Sequence, residues 1–94
     1  MDVLKTYFDV GAKASTEVHR KLSEKVRGNI KVYVHAGKLN IDINKSGVFN
    51  FKYVDDKFLS RVKFEDDIPG YVDAICGEAL TKYEVVSRAF FFKP

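Results

Sequence analysis

The side chains of this chain that could do proton-transfer or covalent chemistry are two short acidic runs, one thiol and two imidazoles. Asp55-Asp56 and Glu65-Asp66-Asp67 are adjacent carboxylates of the kind that general acid–base or Mg²⁺ chemistry uses. Both runs fall at predicted turns, where aspartate serves local hydrogen bonding, and that role accounts for them more simply. His19 falls on a helical stretch, His35 on an extended one and Cys76 on a second helical stretch. Metal sites need several such ligands converging on one point, and no paired spacing supplies them. Cys76 sits on an apolar stripe, where cysteine behaves as a small core residue. No glycine-rich phosphate loop, nucleophile elbow or dinucleotide fingerprint occurs. The expectation is a binding protein, neither an enzyme nor a carrier of a metal or cofactor.

Two features could bind. The first is the end of the chain, Ala89-Phe90-Phe91-Phe92-Lys93-Pro94. Three consecutive phenylalanines cannot all face inward in a helix or a strand, so at least one is exposed in an isolated monomer. Phe90, Phe91 and Phe92 are therefore the candidate protein interface, docked either on the chain's own core or on another chain. The second is a basic middle. From Arg20 to Lys63 there are 11 Lys or Arg against 4 acids, whereas Phe64 to Pro94 carries 3 against 6. Segregated charge can steer a partner, although lysine also protects strand edges. Lys31, Tyr33, Lys52, Arg61 and Lys63 form the candidate nucleic-acid face, with lysine and arginine for phosphates and Tyr33 to stack a base.

The elements that must position these residues follow from periodicity. Residues 3–26 repeat apolar side chains at three- and four-residue steps through Val3, Leu4, Tyr7, Phe8, Gly11, Ala14, Val18, Leu22 and Val26, which predicts one long helix. Asp2 is its expected cap, and Gly28-Asn29 its stop. Between Ile30 and Phe64 the period changes to two. Ile30, Val32 and Val34 form one strand and Leu39, Ile41 and Ile43 the next. Phe49, Phe51 and Tyr53 form a third, and Phe58, Ser60, Val62 and Phe64 are expected to form a fourth. The short links suit antiparallel hairpins. After Asp67 as cap and Pro69 in a first turn, Val72, Ile75, Cys76, Ala79, Leu80, Tyr83, Val86 and Phe90 mark a second long helix. Gly77 within it is either a weak point or a place of close approach to the first helix.

The expected fold is α+β, in the order α-β-β-β-β-α, with both helices on the apolar face of a four-stranded meander and residues 1–94 in a single domain. In topology this order resembles the double-stranded RNA-binding domain. That family uses three strands and a basic run at the start of its last helix. Here that place holds Glu65-Asp66-Asp67, which would repel phosphate. The first helix, about 36 Å long at 1.5 Å per residue, overhangs a sheet about 15 Å wide and offers a further contact surface. One cysteine permits no internal disulfide, and neither a leader pattern nor a membrane-length apolar run is apparent, so the cytoplasm is the expected location. The expected activity is that of a small homodimeric interaction module, an adaptor, regulator or inhibitor of another macromolecule. Nucleic-acid binding is the alternative.

Overall fold

A computed structural model describes the backbone of residues 3–92 and the side chains from residue 9 onward. The expected cap at Asp2, the stripe positions Val3, Leu4, Tyr7 and Phe8 as side chains, and Lys93-Pro94 lie outside the described part. The order of elements is α1 (Val3–Lys25), β1 (Asn29–His35), β2 (Lys38–Lys45), β3 (Phe49–Asp55), a short α2 (Phe58–Arg61), a 3₁₀ turn (Glu65–Asp67) and α3 (Ile68–Phe91). The strands form one antiparallel sheet in the order β1-β2-β3.

One face of the sheet is apolar through its middle rows, with Asp55 opposite Leu39 at one end and Lys45 opposite Phe49 at the other. Ile30 pairs with Ile43 and Ile43 with Phe51, while Val32 pairs with Ile41 and Ile41 with Tyr53. The helices cover that face. On α1 the buried stripe is Ala14, Val18, Leu22 with Val26 just beyond it, and on α3 it is Ile68, Tyr71, Val72, Ile75, Cys76, Ala79 and Tyr83. Gly11 of α1 lies over Val34, where an added Cβ would sit 3.5 Å from that side chain, and His19 reaches Ile30. Tyr71 of α3 bonds Asp55 at one end of β3, and Tyr83 packs on Phe49 and Phe51 at the other. Both helices therefore run the same way, antiparallel to the outer strands beneath them.

The β1–β2 link is a two-residue turn with Ala36 at φ 52° and Gly37 at φ 76°, the geometry that matches the twist of paired strands. The β2–β3 turn is fixed by the Asn44 side chain, whose Oδ1 accepts from the Gly47 amide at 3.0 Å.

The fourth strand is not formed. Phe58 to Arg61 makes one helical turn, with the Val62 amide donating to the Phe58 carbonyl at 2.9 Å. Phe58 and Val62 are buried, but Ser60 is exposed and Phe64 is 71% exposed. A pair four residues apart fits a helical turn as well as a strand, and only Phe58 and Val62 of the expected row are apolar and inward. The local bonds select the helix. The Asp55 carboxylate accepts the Lys57 amide at 3.0 Å, and the Lys57 carbonyl accepts Ser60 Oγ at 2.9 Å. Asp67 also differs from expectation. Its Oδ2 accepts the Lys63 and Phe64 amides behind it, each at 3.0 Å, and makes no forward bond into α3. Those two backbone bonds hold its carboxyl below the usual range.

Two glycines separate cleanly. Gly28 has φ 154°, and a Cβ there would meet the Asn44 carbonyl oxygen at 2.9 Å. Gly77 has nothing within 4 Å, so it is not a point of close approach to α1. Gly28→Ala is expected to lower unfolding free energy by roughly 1–3 kcal/mol. Gly77→Ala, in an exposed helix interior, is expected to raise it by about 0.5–1 kcal/mol. Urea unfolding of both variants measures the two signs.

Candidate protein interface

The buried stripe of α3 ends at Tyr83. The helix continues for two more turns, past the β2–β3 turn, and its apolar residues there have little beneath them. Phe49, itself buried, is the exception. Its ring lies 6.0 Å from Tyr83, 5.1 Å from Phe90 and 5.4 Å from Phe91, and Phe90 and Phe91 meet edge to face at 4.9 Å. Offset and edge contacts of this kind each add about 0.5–1.5 kcal/mol beyond the area they bury. Lys45 lies over the outer side of Phe91, 5.5 Å from its centroid.

This docking is partial. Phe90 remains 45% exposed, Phe91 41% and Phe92 78%. Val48, Val85 and Val86 are exposed as well. At roughly 200 Å² for a fully exposed phenylalanine, the three rings leave on the order of 300 Å² of apolar surface in water. Covering it would gain about 8 kcal/mol before the costs of association, at 25 cal/mol per Å². That area is the size of the largest apolar patch on a typical monomer, and such patches are often binding sites. It is less than the roughly 800 Å² per partner of a standard interface, so the rings would be the centre of a wider footprint.

The tail thus docks on its own core and also stays available. The overhanging start of α1 is not its neighbour. Gly11 already sits over Val34, at the β1–β2 end of the sheet, so the residues before it extend away from the Phe49 end.

The candidate nucleic-acid residues do not come together as expected. Lys31, Tyr33 and Lys52 share the outer sheet face. Asp42 stands between the two lysines in the same row, 3.9 Å from Lys52 Nζ, and accepts the Tyr33 hydroxyl at 3.3 Å. Arg61 and Lys63 are elsewhere, because the expected fourth strand would have carried them. Lys63 lies in the link after α2. Arg61 Nη1 donates to Asp55 at 3.2 Å and Nη2 to Glu78 of α3 at 2.8 Å, with the guanidinium 5.1 Å from the Tyr71 ring centre.

The acidic runs are similarly divided. Asp55 is 6% exposed and fully engaged by Lys57, Arg61 and the Tyr71 hydroxyl, the last at 2.7 Å. Asp56 is exposed. Glu65 pairs with Lys13 of α1, and Asp67 is held by backbone amides. Cys76 is buried beside the Val18 carbonyl, and burial pushes its thiol up. Among the described residues no group of three or more His, Cys, Asp or Glu could hold a metal ion, and no helix is long and apolar enough to cross a membrane.

No family model matches the chain, and no curated protein or solved structure does.

Sequence reasoning identified Phe90–Phe92 but not their anchor. Phe49 was legible as an inward strand residue, and nothing local linked it to a segment forty residues later. The buried network carries its own prediction. Burial, and then the bond to and charge of Asp55, push the Tyr71 phenol well above its ordinary 10.0. A phenol raised in the folded state contributes stability that is complete below the unfolded pKa near 10 and lost as pH rises beyond it. Tyr71→Phe is expected to cost about 1.5–3 kcal/mol at neutral pH and to lose stability less steeply than the parent above pH ~10. Urea midpoints from pH 7 to 11 compare the slopes.

Proposed function

We propose that this protein is a non-enzymatic interaction module that self-associates through its aromatic end and, as a homodimer, acts as an adaptor, regulator or inhibitor of another macromolecule. The observation that supports the reading is the half-open phenylalanine cluster. Phe49 packs against Phe90 and Phe91, so part of the ordering cost of those rings would already be met before a partner covers them. Pre-set aromatic anchors with one face open are the residues that dominate interface energies. The flanking Lys45 and Arg88 would supply a polar rim.

Nucleic-acid binding through the outer sheet face ranks second. Lys31, Lys52 and Tyr33 support it, but Asp42 divides the lysines, and Arg61 is committed to two carboxylates. Such binding would fall steeply with salt.

Sedimentation of the parent and of the double variant Phe91→Ser, Phe92→Ser tests the reading. The parent is expected to be dimeric at about 100 μM, and the variant to dissociate at least ten-fold more readily, equivalent to about 1.4 kcal/mol. Losing the Phe91 contacts with Phe49 and Phe90 is expected to lower melting as well, so the comparison is made at a temperature where circular dichroism shows the variant folded. A parent that stays monomeric at several hundred micromolar, or a variant that associates as strongly as the parent, refutes homodimerisation through this end.

A further inference from the structure

The β1 strand is an edge, and its backbone is only partly closed. In a two-residue hairpin the residues flanking the turn, His35 and Lys38, exchange both backbone bonds, and bonded and non-bonded pairs then alternate. His35, Tyr33 and Lys31 therefore spend their amides and carbonyls on β2. Ile30, Val32 and Val34 point theirs away from the sheet. The His19 contact agrees with this phase, because its Nε2 lies 3.1 Å from the outward Ile30 carbonyl. That imidazole closes one end of the edge. Among the described residues nothing bonds the outward amides and carbonyls of Val32 and Val34.

Beside this open segment runs a groove of about 630 Å³ between α1 and β1. Gly11, Ala12, Ser15 and Thr16 form its helical wall, and Val32 and Val34 its sheet wall. The helix side chains there are small and uncharged, so the groove stays wide along the edge. The β3 edge offers no equivalent. Its outward residues are Asn50, Lys52 and Val54, whose side chains lie on the outer face, and Lys82 of α3 covers the Tyr53 ring at 5.8 Å.

We infer that the β1 edge accepts an extended segment of a partner protein as a fourth strand, with small apolar side chains turned into the α1–β1 groove and acidic side chains on the outer face. Only an extended backbone offers donors and acceptors at the two-residue repeat of Val32 and Val34, and recognition by strand addition takes its affinity from those bonds. Residues paired with Val32 and Val34 share their face and enter the groove, while their neighbours lie beside Lys31, Tyr33 and His35. On the outer face β1 carries Lys31 and no acid, and Lys38 of β2 lies opposite His35; Asp42, across from Lys31 on β2, accepts the Tyr33 hydroxyl and lies one strand further from the incoming segment. A second copy of β1 would bring only more positive charge, whereas an acidic strand complements it.

The probe is an end-blocked heptapeptide alternating aspartate with valine, titrated into the ¹⁵N-labelled full chain. Its counterparts carry lysine for aspartate, or methyl groups on alternate backbone nitrogens. The acidic peptide is expected to shift the Val32, Val34 and Ala12 amides and to bind at least ten-fold more tightly than either counterpart. Ala12→Trp, a substitution at an exposed position that fills the groove, is expected to weaken it ten-fold or more. Lys31→Glu is expected to move the preference towards the lysine peptide. Four results overturn the inference: no shift at millimolar peptide, shifts only away from this edge, equal binding of the methylated peptide, or equal binding of the lysine peptide. Concentration-dependent shifts of Val32 and Val34 without peptide would also overturn it, by assigning the edge to a second copy.

Discussion

The structure depends on covering one apolar face of a three-stranded sheet with elements that do not match its size. Three strands span about 10 Å from first to last, the usual separation of two packed helix axes, so one helix leaves an outer strand exposed and two close the layer. The lengths match less well. Strands of seven or eight residues extend roughly 25 Å, while helices of 23 and 24 residues run about 35 Å. The resulting body is 56 Å long and 22 Å in its other two dimensions. Because both helices run the same way yet are offset, α1 extends past the β1–β2 end and α3 past the β2–β3 end. The half-covered phenylalanines are a direct product of that mismatch.

A second constraint fixes how the chain passes from sheet to α3. Asp55 ends β3 on the inward face, where Leu39 is its partner in the row. A buried carboxylate without partners would be costly, and here Lys57, Arg61 and Tyr71 all donate to it. Those bonds coil residues 58–61 and bring Arg61 to Glu78, so α2 ties β3 to α3. Tyr71 also stacks on Phe58, with ring centres 5.4 Å apart. What resembles a catalytic carboxylate pair in sequence is, for Asp55, the knot that sets the direction of the last helix.

Much of the fold was legible because the periods were long and unambiguous. The α1 stripe from Gly11 to Val26, the three strand rows and the α3 stripe to Tyr83 all lie inward as their spacing implies. The segment from Phe58 to Phe64 was misleading because alternate positions and every fourth position coincide at Phe58 and Val62. Ser60, polar in a row meant to be apolar, was the available signal. Once that strand is gone, Arg61 and Lys63 leave the outer face, which no count of basic residues could have shown. The groove beside β1 was equally hidden, since it depends on which strand lies at the edge and which backbone groups point outward.

If the aromatic end is a contact surface between molecules, its solvent access falls as concentration rises. Amide and ring-proton relaxation by a soluble gadolinium chelate, recorded at about 20 μM and at about 1 mM, would read that access residue by residue. Protection that develops with concentration at Phe90, Phe91 and Phe92, and leaves the outer sheet face unchanged, is the predicted result. Relaxation of those three residues that is the same at both concentrations would contradict it.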